Sequence, residues 1–146
     1  MELKSFYVKG TRQDALTFLS DSLEKEGYVK EGYRKSLLER EQKYPTGLAL
    51  ADSVNVAIPH TETELANEDV FVVAVPQSDM KFGRIDKPSD EILVDLIFLF
   101  VIRNPDKYLK VLSALTEHFL NKDFLGYMKD KNLEEIQKYL RKYILQ

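Results

Sequence analysis

The sequence predicts an α+β domain: a three-layer α/β/α sandwich built around a mixed β-sheet. Three observations predict it. Helix-period patterns lie both before and after a block of strand-period segments, which puts a helical layer on each face of the sheet. The run Leu93-Val94-Asp95-Leu96-Ile97-Phe98-Leu99-Phe100-Val101-Ile102 is the most apolar in the chain. It is about strand length and reads as a central strand covered on both faces. The connections between the middle segments are short, so part of the sheet is antiparallel. A chain of 146 residues suits one domain, residues 1–146, with one hydrophobic core.

The elements follow in order. Residues 3–8 read as a short strand carrying Phe6 and Tyr7, broken by Gly10. Thr11 is a good N-cap, and Asp14 suits the first turn of the helix it opens. Leu16, Leu19 and Leu23, with Ala15 and Phe18, form its apolar stripe, and Gly27 suits its C-terminal end. A second helix spans about residues 31–43, with Tyr33, Leu37 and Leu38 inward and Glu39, Arg40 and Glu41 near its end. Its dense charge reads as a solvated face. Tyr44-Pro45-Thr46-Gly47 is a turn, because proline sets φ and glycine frees it. A short apolar segment, a turn at Asp52-Ser53 and a strand over residues 54–58 follow. Residues 61–67 are polar, with room for one helical turn. Val70 to Val75 is rich in β-branched residues and reads as an interior strand. Residues 77–91 read as a loop or irregular hairpin, and the apolar run above closes the sheet. Asn104 caps a helix with Pro105 at its first position and Leu109, Leu112, Leu115 and Phe119 at helical spacing. Phe124, Leu125 and Met128 mark a further short helix, and Leu133, Ile136, Tyr139, Leu140 and Tyr143 mark the last.

Composition narrows the chemistry. The net charge is −3, so there is no basic excess to neutralise phosphates and no nucleic-acid partner is expected. The chain has no cysteine, which excludes disulfides, thiolate metal sites and a cysteine nucleophile and fits a reducing compartment. With two histidines a His-rich metal site is out of reach, and no metal or cofactor is expected. No apolar run is long enough to span a membrane and the N-terminus lacks a signal-peptide core, so a cytoplasmic location without membrane insertion is expected. There is no nucleophile elbow, P-loop or Gly-rich dinucleotide fingerprint. The carboxylates lie on predicted helix surfaces, and nothing marks a pair of them as a catalytic dyad.

What remains is Val54-Asn55-Val56-Ala57-Ile58-Pro59-His60-Thr61-Glu62. Pro59 lacks an N–H and fixes φ, so the strand ends there. His60 therefore sits just past a strand terminus, on rigid backbone near the surface, a good place for a nucleophile or proton carrier. Neutral imidazole is a nucleophile near neutral pH.

Three motifs carry a family resemblance: Arg40-Glu41, then Tyr44-Pro45-Thr46-Gly47, then Val56-Ala57-Ile58-Pro59-His60. Together they resemble the signature of the type-2 enzyme IIA domains of the bacterial phosphoenolpyruvate-dependent sugar phosphotransferase system (PTS), the fructose/mannitol type. The match is closest to the galactitol-type branch, since Phe82, the strand Asp95-Leu96-Ile97-Phe98-Leu99 and the helix from Asn104 to Leu112 follow that branch's order. The likeness runs from Arg12 to Leu140.

The resemblance implies that His60 takes a phosphoryl group from the histidine-containing phosphocarrier protein HPr. It would pass the group to the cysteine of an enzyme IIB during hexitol or polyol uptake, the sugar itself being bound by the membrane IIC partner. The chain would then be a phosphotransferase component with a phosphohistidine intermediate. Phosphoryl transfer needs in-line positioning and donors for the equatorial oxygens. The resemblance assigns those roles to Arg40, through a charge-assisted fork, and to the Thr46 hydroxyl. Mannitol and fructose relatives carry a second active-site histidine where this chain has Tyr108; galactitol-type members lack it too, and the Tyr108 hydroxyl is a possible replacement. His118 does not match a family position and reads as structural. Two rivals stay open: a regulatory phosphocarrier whose phosphorylation state controls another protein, and a partner-binding module whose phosphorylation chemistry has lapsed.

Overall fold

A computed structural model describes residues 1–145. Five strands form one sheet in the order β1-β4-β7-β3-β2. They are β1 (Glu2–Val8), β2 (Gly47–Ala49), β3 (Asn55–Ala57), β4 (Val70–Pro76) and β7 (Leu96–Val101). β1 runs parallel to β4 and β3 parallel to β7, whereas β4 and β7 are antiparallel, as are β2 and β3. The sheet is therefore mixed, with β7 in the middle. A separate antiparallel ribbon pairs β5 (Lys81–Gly83) with β6 (Glu91–Leu93), in the segment expected to be a loop or irregular hairpin.

Side-chain alternation along the two innermost strands divides the core. Phe71, Val73 and Val75 of β4, with Leu96, Phe98 and Phe100 of β7, face α3 (Pro105–Glu117), α4 (Lys122–Lys129) and α5 (Leu133–Tyr143). Val70, Val72 and Ala74, with Ile97, Leu99 and Val101, face α1 (Arg12–Lys25) and α2 (Tyr33–Lys43). Both faces are covered, which is why these strands read as continuous apolar runs. The result is the three-layer α/β/α arrangement that the order of elements predicts.

The helices start and stop where local chemistry says. Thr11 Oγ1 accepts from the Asp14 N–H at 3.1 Å and Asp14 Oδ2 accepts from the Thr11 N–H at 2.9 Å, a reciprocal capping box. Gly27, just past the end of α1, has φ +84°, a left-handed conformation that costs glycine little. Asn104 and Asn121 accept from the first-turn N–H groups of α3 and α4. The helix expected to run on to Phe119 breaks into a 3-10 turn at His118–Leu120 before Asn121 caps α4.

Two boundaries depart from expectation. The apolar run 93–102 is not one strand. Leu93 ends β6, the Val94 N–H donates to the Met80 carbonyl, and β7 begins only at Leu96. Asp95 makes the break: its Oδ2 accepts from the Asn55 N–H at 2.9 Å while its own N–H donates to the Asn55 carbonyl at 2.7 Å. The strand expected over 54–58 shortens to Asn55–Ala57. Its next N–H, that of Ile58, leaves the ladder and donates to the Thr46 hydroxyl at 3.2 Å.

The β5–β6 ribbon is held against β2 by a close backbone approach. The Ile85 N–H donates to the Gly47 carbonyl at 2.9 Å. A Cβ on Gly47 would lie 2.5 Å from the Gly83 carbonyl oxygen, so only glycine admits the ribbon here. This contact carries Ile85 over the sheet edge to the end where His60 sits. Among the described residues no helix is long and apolar enough to cross a membrane.

Candidate active site

His60 follows Pro59, which is itself buried, so the imidazole leaves a fixed point of the backbone and stands half-buried at the C-terminal end of β3. Its Nδ1 lies 3.1 Å from the Ile58 carbonyl oxygen. A carbonyl only accepts, so Nδ1 carries the hydrogen. Neutral imidazole has one N–H, so the lone pair is left on Nε2. The main-chain bend at Pro59 thereby selects the tautomer.

The ring opens into a cleft of about 500 Å³. Thr46 and Tyr108 share its wall with His60, and Ile85, Leu109 and Leu112 give it an apolar rim. Tyr108 lies in the first turns of α3, its ring centroid 6.1 Å from that of His60 and 4.8 Å from that of Phe100. Burial pushes the Tyr108 phenol well above the ordinary tyrosine range, and the Arg40 charge pulls it only partly back. The phenol therefore stays protonated near neutral pH and is available as a donor.

Two hydrogen-bonded clamps fix His60 relative to α2. On one side, the Glu41 carboxylate receives both the Thr46 N–H (2.8 Å to Oε2) and the Thr46 hydroxyl (2.7 Å to Oε1). The same hydroxyl oxygen accepts from the Ile58 N–H. Glu41, Thr46, Ile58 and His60 are thus one chain of contacts. On the other side, the Ser36 and Thr61 hydroxyls are hydrogen-bonded, and Thr61 directly follows His60. Ser36 lies one turn before Arg40 and Glu41 directly after it, so the clamps bracket Arg40 on α2 as they bracket His60 on its loop.

The four residues singled out from sequence fare differently. His60, Thr46 and Tyr108 come together in the cleft. Arg40 is exposed and is not among the residues that line the cleft; its guanidinium carbon lies 5.9 Å from the Tyr44 ring centroid, and its charge acts on the Tyr108 phenol. Thr46 is in place, but its hydroxyl hydrogen is committed to Glu41 rather than to the cleft. His118 lies elsewhere, bonded to the Tyr139 hydroxyl and packed beside Tyr143, in keeping with a structural role.

Glu41 corrects the expectation that the carboxylates all sit on solvated helix faces. It is only 4% exposed, and burial pushes its carboxyl up to about 7, outweighing the downward pull of both Thr46 hydrogen bonds and of the Arg12 charge. The signal was in the spacing: Tyr33, Leu37 and Glu41 recur every four residues, so Glu41 lies on the stripe that α2 turns inward.

Comparison with known proteins gives the family and the fold. Residues 6–143 match the family model described as "Phosphoenolpyruvate-dependent sugar phosphotransferase system, EIIA 2". The galactitol-specific EIIA component of Escherichia coli (strain K12) is 26% identical over 134 residues, covering 92% of this chain and 88% of that protein. The mannitol IIA chain in the complex of enzyme IIA with phosphorylated enzyme IIB from Escherichia coli superposes with a TM-score of 0.62 at 22% identity, over 84% of this chain and 83% of that one. Nitrogen regulatory protein IIA-Ntr from Neisseria meningitidis does so with a TM-score of 0.64 at 22% identity, over 86% and 83%. The likeness to these two structures establishes the fold.

Proposed function

This chain belongs to the EIIA 2 family of the phosphoenolpyruvate-dependent sugar phosphotransferase system, and from that premise we propose that His60 is its phosphoryl carrier, in a single domain spanning the chain. His60 takes the group from phospho-HPr and hands it to the cysteine of an enzyme IIB, whose membrane IIC partner moves a galactitol-like hexitol or polyol. The observation that carries this reading is the Nδ1–H bond to the Ile58 carbonyl, which leaves the lone pair on Nε2 of a ring that lines the cleft.

In the first transfer the Nε2 lone pair attacks phosphorus as the N–P bond of the donor phosphohistidine breaks; the bonding pair stays on the donor ring, which carries a hydrogen on its other nitrogen and so leaves as neutral imidazole. The Nδ1–H bond to Ile58 is kept before and after, so no reorganisation is needed at that atom. In the second transfer the IIB thiolate attacks the phosphorus, and the electron pair of the N–P bond returns to Nε2. The exposed guanidinium of Arg40, whose charge reaches the Tyr108 phenol, supplies charge-assisted donors to the equatorial oxygens as the group passes. The protonated Tyr108 phenol offers a further one. The apolar rim formed by Ile85, Leu109 and Leu112 excludes water when a partner covers it, which protects the labile N–P bond from hydrolysis.

The test is a chase. The chain, charged by phosphoenolpyruvate, enzyme I and HPr, is mixed with IIB domains of the galactitol and mannitol types. Loss of the phosphohistidine together with gain of phosphocysteine on a IIB is the expected result. The second reading, a regulatory carrier, is favoured by the comparable superposition on a protein named for nitrogen regulation. A chain that charges from HPr yet passes its phosphate to no IIB would establish that reading instead.

A further inference from the structure

We propose that Glu41 is a positioning residue with two settings for the His60 site, holding the Thr46 hydroxyl hydrogen as a carboxylate and releasing it toward the cleft once Glu41 itself is protonated. The proposal rests on the phosphoryl-carrier reading of His60 and assigns a role to a buried carboxyl group that phosphoryl transfer as described above does not use.

The argument is a count of hydrogen bonds. A hydroxyl has one hydrogen to give and two lone pairs to fill. In the structure Thr46 gives its hydrogen to Glu41 Oε1 and fills one lone pair with the Ile58 N–H. If Glu41 Oε1 takes up a proton from solvent, it becomes a donor and fills the second lone pair. Both lone pairs of Thr46 are then occupied, and its own hydrogen has only the cleft to point to. The cleft is the cavity that Thr46 and His60 share. Glu41 Oε2 keeps the Thr46 N–H throughout, so the backbone does not move. The switch redirects one hydrogen and leaves the scaffold in place.

Placing a phosphoryl group on His60 drives the switch in the same direction. A dianion entering a cleft walled by Thr46 disfavours the nearby Glu41 carboxylate and favours a hydroxyl donor beside it. Proton uptake by Glu41 and phosphate uptake by His60 therefore promote each other, and the coupling is reciprocal. Burial already holds the Glu41 carboxyl at about 7, so a modest further push converts it near neutral pH. From outside α2 the charged group acting on Glu41 is the Arg12 guanidinium at the start of α1. Arg12 is itself held 2.9 Å from Glu91 at the start of β6. From the cleft side the groups are His60 and whatever it carries. Within α2, Arg40 is the charged neighbour in sequence.

The experiment reads Glu41 through the amide proton that touches it. The Thr46 and Ile58 N–H chemical shifts are followed by NMR from about pH 5 to about pH 9, with His60 free and with His60 phosphorylated and kept charged by phosphoenolpyruvate, enzyme I and HPr. Both amides are expected to titrate together near the pH at which Glu41 ionises. The midpoint should move up by about one pH unit or more when His60 carries phosphate. The titration of the free form should survive in His60→Ala, which removes the imidazole as its source. It should vanish in Glu41→Gln, whose amide keeps a donor on Thr46 at every pH and preserves the fold. An unchanged midpoint on phosphorylation, or flat Thr46 and Ile58 shifts across the range, overturns the proposal while leaving His60 as carrier. A chain that takes no phosphate at all overturns the carrier reading, and the proposal with it.

Discussion

His60→Ala should take no phosphate from phospho-HPr and should still fold. The first half follows from the bond count at the imidazole, since no other side chain in the cleft presents an unprotonated nitrogen. The chain has two histidines, and the other, His118, has Nδ1 engaged with the Tyr139 hydroxyl away from the cleft. The second half follows from what the side chain contributes to packing. His60 is half-buried and makes one hydrogen bond, to the Ile58 carbonyl, with a tilted contact to Tyr108. A bond of that kind contributes about 1 kcal/mol, which for a chain of this size moves the midpoint of thermal unfolding by about 2–4 °C. Loss of phosphorylation with a nearly unchanged Tm separates chemistry from stability. Residual phosphate on the variant would mean another acceptor.

Phe98→Ala should have the largest effect on stability of any single truncation in the sheet. Phe98 sits in the middle of β7, fully excluded from solvent. Its ring lies 6.0 Å from Phe71 on the neighbouring strand, 6.1 Å from Phe119 and 6.3 Å from Phe124 on the covering helical layer. Truncation removes the apolar transfer energy and leaves a hole between elements that have little freedom to collapse, at a cost of about 3–5 kcal/mol. Domains are held by about 5–15 kcal/mol, so the variant should show a large drop in the urea midpoint with little change of slope. A loss below about 1 kcal/mol would contradict the packing of α4 against β7.

Much of this architecture was legible in the sequence because it depends on local periodicity. Val70 to Val75 and Leu96 to Val101 are apolar on both parities, and a strand of that kind must be covered twice. Thr11 and Asp14, Gly27, Asn104 and Pro105 mark helix ends through backbone chemistry that acts within a few residues. Pro59 marked the fixed point from which His60 leaves, although β3 itself ends at Ala57, two residues before it. What the sequence did not show depends on partners far along the chain. Asp95 splits an apolar run because it binds the Asn55 N–H forty residues earlier. The β5–β6 ribbon reaches the cleft because Gly47 and Gly83 approach as backbone against backbone. The tautomer of His60 depends on where the Ile58 carbonyl points once Pro59 has turned the chain. Glu41 was hidden by its neighbours: in a helix so rich in charge, one carboxylate on the inward stripe looks like the others unless the four-residue spacing from Tyr33 and Leu37 is weighed. The hydroxyl of Thr46, expected to face the phosphoryl group, is turned toward Glu41 for the same reason.

The central claim is that His60 carries the phosphoryl group on the nitrogen the fold leaves bare. The measurement that tests it most directly is a long-range ¹H–¹⁵N correlation spectrum of the chain, ¹⁵N-labelled at histidine and charged by phosphoenolpyruvate, enzyme I and HPr. Phosphorus coupling should appear at Nε2 of His60, with the hydrogen retained on Nδ1 and the His118 ring unaltered. Phosphorus on Nδ1 of His60, or on His118, would contradict the account.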